Sequence, residues 1–152
     1  MKFSSACTDL IAESEGCILH PYVDPASGGE PITIGIGSTH YCDGTKVTMS
    51  DANITKEKAE EMLSCHLDSA VLPCIQQNVT IGINQQQLDA LGSFVYNLGC
   101  GNFKSSTLLR KINLDPSDST IEAEFMKWNK ANHQVMSGLT KRREKESALY
   151  FS

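Results

Sequence analysis

Between residues 17 and 47 the chain abandons helical periodicity. Pro21, Pro25, Gly28, Gly29, Pro31, Gly35, Gly37 and Gly44 break any helix there. Ile32-Thr33-Ile34 and Ile36 favour strand. The segment therefore reads as a small antiparallel sheet with tight turns. The chain on either side is helical. Phe3, Cys7, Leu10 and Ile11 recur at helical spacing over 3–14, and Gly16 is placed to stop that helix. From about Thr55 a second helix carries Ala59, Met62, Leu63, His66, Leu67 and Ala70 on one face and is predicted to end near Pro73. Asn84 with Gln87 three positions on opens a third as a capping box. Its apolar face is Leu88, Leu91, Phe94, Val95 and Leu98, closed by Gly99. Shorter helices are predicted near 105–113 and 119–130, and a last one over about 139–150. The fold class is α+β. A small hairpin lobe (about 17–47) faces a larger helical lobe (about 50–152 plus the N-terminal helix) across a cleft, within one domain spanning 1–152.

Composition narrows the partners. With 40% hydrophobic and 20% charged residues, the 152-residue chain matches an ordinary globular protein. No apolar run approaches the roughly 20 residues of a membrane helix, so no stable membrane insertion is expected. The start, Met1-Lys2-Phe3-Ser4-Ser5-Ala6, lacks a secretory apolar core, which predicts synthesis in a cytoplasm without an export address. A net charge of −5 argues against nucleic acid as a partner. Lys141, Arg142, Arg143 and Lys145 do cluster, and by charge pattern alone they read as a solvated helix face. Six cysteines stand at 7, 17, 42, 65, 74 and 100 without any Cys-x-x-Cys. Cys65-His66 and Cys42 near His40 are the pairs a metal would have to use, and the reading is no metal and no cofactor. Three bridges in any of 15 pairings, or free thiols, are both compatible with the spacing.

Two carboxyl groups stand in contrasting settings. Acid-assisted cleavage of a glycosidic bond needs one carboxyl to donate a proton and a second, ionised, to activate water or attack. Glu15 ends the first helix, where the dipole disfavours negative charge. Asp24 lies nine positions on, in the Pro/Gly-rich segment, a wetter setting. Glu13 is the rival acid but lacks the following glycine. Trp128, on the apolar side with Ile121 and Phe125, reads as a core anchor.

These residues sit inside ordered motifs. Glu15-Gly16-Cys17-Ile18-Leu19-His20-Pro21-Tyr22-Val23-Asp24, followed by Thr33-Ile34-Gly35-Ile36-Gly37, resembles the start of the phage-type lysozymes and endolysins (glycoside hydrolase family 24). The stretch from Leu88 to Gly99 resembles that family's central helix. Ser106 to Asn113, Lys127-Trp128-Asn129 and Gly138 to Glu146 resemble its later segments. The resemblance implies a lysozyme-like fold and an endolysin. Such a muramidase hydrolyses the β-1,4 bond from N-acetylmuramic acid to N-acetylglucosamine in bacterial peptidoglycan, inverting, for host lysis. It implies Glu15 as the acid, Asp24 as the group that activates water, Thr33 as its holder and Arg142 as partner of the acid. Asn97 and Gly99 match positions lining the family's cleft, although both also suit helix termination. A monomer, a holin-type release partner, and a route from the host cytoplasm to the wall follow from the same resemblance. The alternative is a non-catalytic wall-binding module on the same scaffold. Two departures stand out. The Asp24–Thr33 turn is longer than the family's usual one, and Ser38 stands where the family often has histidine.

Overall fold

The computed structural model describes residues 1–23 and 29–152. Its centre is α4, Gln85–Leu98, in which every residue from Leu88 to Val95 is buried. The predicted capping box is present. The Asn84 side chain accepts from the Gln87 amide, and the Gln87 side chain accepts from the Asn84 amide. Helix α1, Ser5–Glu15, lies across α4. Ser4 caps it and donates both its amide and its hydroxyl to the buried Asp89 carboxylate of α4. The crossing is close. A Cβ on Gly92 would lie 2.5 Å from Phe3 and 2.6 Å from Cys7.

The other side of α4 packs on α8, Ser137–Tyr150. Phe94 is the hub of the aromatic core. Phe103, Phe125 and Trp128 meet its ring edge-on at 6.2, 5.6 and 6.0 Å, so Trp128 is the anchor expected of it.

The hairpin is as predicted, with β1 (Ile18–Val23) antiparallel to β2 (Ile32–Gly35). Tyr22 faces Thr33, and the register shifts between Ile18 and Tyr22. A small cluster of Ile34, Val47 and Met62 seats the hairpin on α2, Lys56–His66. At Gly35 the chain takes φ +68°, and an added Cβ would lie 3.1 Å from that of Ala59 on α2.

Pro73 does not end the second helix. A π-turn over Leu67–Val71 follows α2, and the chain continues as α3, Leu72–Asn78. The Leu72 amide donates back to Leu67, so hydrogen bonding changes register just where proline lacks an N–H. After α5 (Cys100–Ser105) and α6 (Thr107–Leu114), α7 covers only Ile121–Met126. Part of the helix expected over 119–130 is instead β3, Lys130–Ala131, which leads into β4, Gln134–Val135. Asn132 and His133, at φ +50° and +65°, make the turn between them.

The cysteines divide into two bridges and two thiols. Cys42–Cys65 ties the segment after β2 to α2, and Cys74–Cys100 ties α3 to α5. Cys7 is buried and Cys17 exposed. Burial pushes the Cys7 thiol up to about 12, so it is inert packing rather than a nucleophile. No described helix is long and apolar enough to cross a membrane.

The Gly92 contact gives a stability test. Gly92→Ala is expected to destabilise by about 1–3 kcal/mol despite alanine's better helix propensity, because Phe3 and Cys7 must move. A lowered urea midpoint with unchanged slope checks it.

Candidate active site

Glu15 closes α1. The chain leaves through Gly16 at φ +72°, whose amide donates to Ala12 O and caps the helix. This turn directs the chain into β1 and leaves the Glu15 side chain 24% exposed. The carboxylate meets Arg142 of α8, with Nη1 2.6 Å from Oε2. Arg142 is itself buried. Its Nε donates to Ser93 Oγ and its Nη2 to Ser93 O, both at 3.3 Å. The arginine that holds the glutamate is thus fixed by α4.

Beneath this pair lies a second one. Arg143 and Glu146 are fully buried, with Nε 2.7 Å from Oε1. Glu146 Oε2 also accepts from Ser93 Oγ at 2.5 Å and lies 3.4 Å from Arg142 Nε. Burial pushes the Glu146 carboxyl up, and the two arginines oppose that shift. Arg143 Nη2 donates to Asn97 Oδ1 at 2.9 Å, and its guanidinium lies 5.2 Å over the Phe94 ring. An arginine only donates, so the Asn97 oxygen faces inward toward Arg143. The basic run on α8 is therefore not a solvated face as a whole. Lys141 and Lys145 are exposed, while Arg142 and Arg143 are internal. The signal for this was Glu146, three and four residues along the same helix.

A groove of about 460 Å³ opens on the Glu15–Arg142 pair. Its wall includes Ser14, Asn97 and Leu98, with Ala131, Met136, Gly138 and Leu139 from the second hairpin and the start of α8. That second wall escaped sequence reading, because a two-residue strand pair has no periodicity. Gly99, one residue past Leu98, caps α4 at φ +86°.

Gly37 brings its backbone close to the acid. A Cβ there would stand 3.0 Å from Glu15 Oε1, and φ is +72°. The second glycine of Thr33-Ile34-Gly35-Ile36-Gly37 thus makes room for the carboxylate, as the first makes room for α2. Tyr96 of α4 locks the same turn by donating to Ile36 O at 2.6 Å. Burial, above all, pushes its phenol up to about 12, so it stays a donor. Thr33 is buried in β2, and its hydroxyl donates to Pro31 O at 3.4 Å. Asp24 lies outside the described residues. Glu13 is exposed and pairs with Lys145.

Beyond Gly37 a smaller hollow of about 160 Å³ is lined by Ser38, Thr39, His40, His66 and Tyr96. Ser38 is buried and uncharged, so the ion pair of a family histidine has no equivalent at that position. Two histidines, His40 and His66, line the hollow, and His66 meets the Tyr96 ring edge-on at 5.4 Å. Partial desolvation, then the charge of His40, lowers the His66 pKa below its ordinary value.

A fold with this hairpin, central helix and paired glutamate defines a lysozyme-like protein. The family model for phage lysozyme matches residues 12–146, and the chain belongs to that family. It is 37% identical over 152 residues to an endolysin of Bacillus phage PZA, covering all of this chain and 56% of that protein. It is 38% identical over 152 residues to the endolysin of Salmonella phage P22, covering all of this chain and 99% of the relative. The chain thus spans just over half the length of the Bacillus phage relatives and almost all of the Salmonella phage one. The solved endolysin from Escherichia coli O157:H7 phage FAHEc1 superposes with a TM-score of 0.87 at 29% identity, covering 99% of this chain and 93% of that one.

Two measurements test the electrostatics. Glu146→Gln leaves two buried arginines short of a carboxylate and is expected to cost about 3–5 kcal/mol of stability. Chemical denaturation reads it. For His66, the folded state holds a proton less readily than the unfolded state. Below pH 6.5 the unfolded chain therefore binds more protons, and stability falls as pH drops through that window. His66→Gln should flatten the fall in urea midpoint between about pH 7.5 and 5.5.

Proposed function

We propose that this chain is a muramidase that hydrolyses the β-1,4 bond between N-acetylmuramic acid and N-acetylglucosamine in bacterial peptidoglycan. The observation that carries the reading is the Glu15 carboxyl, part-exposed at a groove and held at 2.6 Å by an arginine that is itself buried. A group so fixed keeps its direction toward a bound sugar, and positioned proton donation contributes roughly 10²–10⁴-fold. The chain's place in the phage lysozyme family supports the same assignment.

In this scheme Glu15 protonates the leaving oxygen. Asp24, ionised, takes a proton from water, and Thr33 helps hold that water. The water attacks the opposite face of the sugar, so the product is inverted. Inversion places the two carboxyls roughly 6.5–9.5 Å apart. Arg142 positions the acid. Asn97 offers its NH₂ to a carbonyl oxygen of the substrate, and Gly99 shapes the groove by ending α4. Residues 1–152 form one catalytic domain that works as a monomer, made in the host cytoplasm and released to the wall with a holin-type partner.

Glu15→Gln is expected to cut lysis of outer-membrane-stripped cells by at least about 10²-fold while leaving the fold intact by circular dichroism. Near-normal lysis by that variant removes the assignment. Wall binding by the wild type without release of reducing sugar removes the activity altogether. An anhydro-muramic product would show that water is not the acceptor.

A further inference from the structure

The Cys42–Cys65 bridge has an unusual neighbour. Glu61 and Cys65 are four residues apart, on one face of α2, and Cys42 comes to them from the segment after β2. The two sulfurs and a Glu61 carboxylate oxygen all lie within 4.8 Å of one another. Cys42 Sγ stands 3.9 Å from Glu61 Oε1. Cys42 and Glu61 are exposed and Cys65 is half-buried, so solvent and ions reach the cluster. Among the described residues no other three such side chains converge in this way.

We propose that, in the dithiol state, Cys42, Glu61 and Cys65 bind one zinc-class divalent ion. Two thiolates and a carboxylate are a donor set that soft-to-borderline ions favour, and three protein ligands leave a fourth position to solvent. The Cα atoms of Cys42 and Cys65 are 5.6 Å apart. Zinc–sulfur bonds of about 2.3 Å at a tetrahedral angle need the sulfurs only a little under 4 Å apart, which side-chain rotation provides. The disulfide sulfurs carry no charge to ligate with, so bridge and ion exclude each other. A dithiol reductant transfers two electrons and two protons to the bridge, giving two cysteine thiols while the reductant becomes a disulfide. Metal binding then displaces the two thiol protons to solvent. Lys58, 3.6 Å from Glu61, forms an exposed ion pair that the ion displaces at little cost. The segment after β2 thereby stays tied to α2 in a reducing compartment as well as an oxidising one. His40 and His66 face the separate hollow beside Tyr96 and are not part of this set.

The test uses the full chain, reduced without air and titrated with cobalt(II), which reports thiolate ligation by a near-ultraviolet charge-transfer band. The expected result is one cobalt per chain, with the same band in the double variant Cys74→Ser/Cys100→Ser. Glu61→Gln, an exposed change that spares the fold, should weaken binding about tenfold or more. Cys42→Ser/Cys65→Ser should abolish the band, and so should oxidation before titration. No band in the reduced wild type overturns the site, as does a band that survives Cys42→Ser/Cys65→Ser. Unchanged affinity in Glu61→Gln removes the carboxylate from it.

Discussion

Everything at the groove rests on a quartet of charges, the buried Arg142, Arg143 and Glu146 and the part-exposed Glu15. Two guanidinium groups inside a protein are tolerable only if carboxylates and hydrogen bonds replace the water they lose. Glu146 and Ser93 supply most of that replacement from below. Glu15 completes it from the groove side. The outermost carboxylate therefore serves two ends at once, balancing the interior and presenting an oxygen to whatever occupies the groove. Arg143 extends the network sideways to Asn97, so Glu15 and Asn97 are set from one buried anchor.

The hairpin is fitted to this anchor by absence of side chains. Gly35 lets it lie on Ala59, and Gly37 lets it lie on Glu15. Tyr96 fastens the residue between them to the central helix. Two close backbone approaches and one hydrogen bond thus fix where the β region stands relative to the acid.

Much of this was legible in the chain. The collapse of helical period over 17–47, the capping box at Asn84 and the apolar face of α4 each follow from local rules, and each is present. Glu15 with Arg142 was legible through its motifs, not through charge pattern, since four basic residues in five positions look alike until the fold buries two of them. The second hairpin was not legible. Asn132 and His133 hold a left-handed turn that neither favours as glycine would, and pairs of two residues carry no alternation. Pro73 misled because a proline normally closes a helix. The rule assumes an unbroken hydrogen-bond register, and here the register shifts first.

That shift at Leu67–Val71 adds one residue to a turn, and each residue of a helix rotates the rest of the rod by about 100°. Shortening the segment by one would give a smoother rod. It would also swing Cys74 and Ile75 away from Cys100 and from the core they now enter. The length of this segment is accordingly under tighter constraint than its composition, and natural variation here should favour substitutions over insertions and deletions.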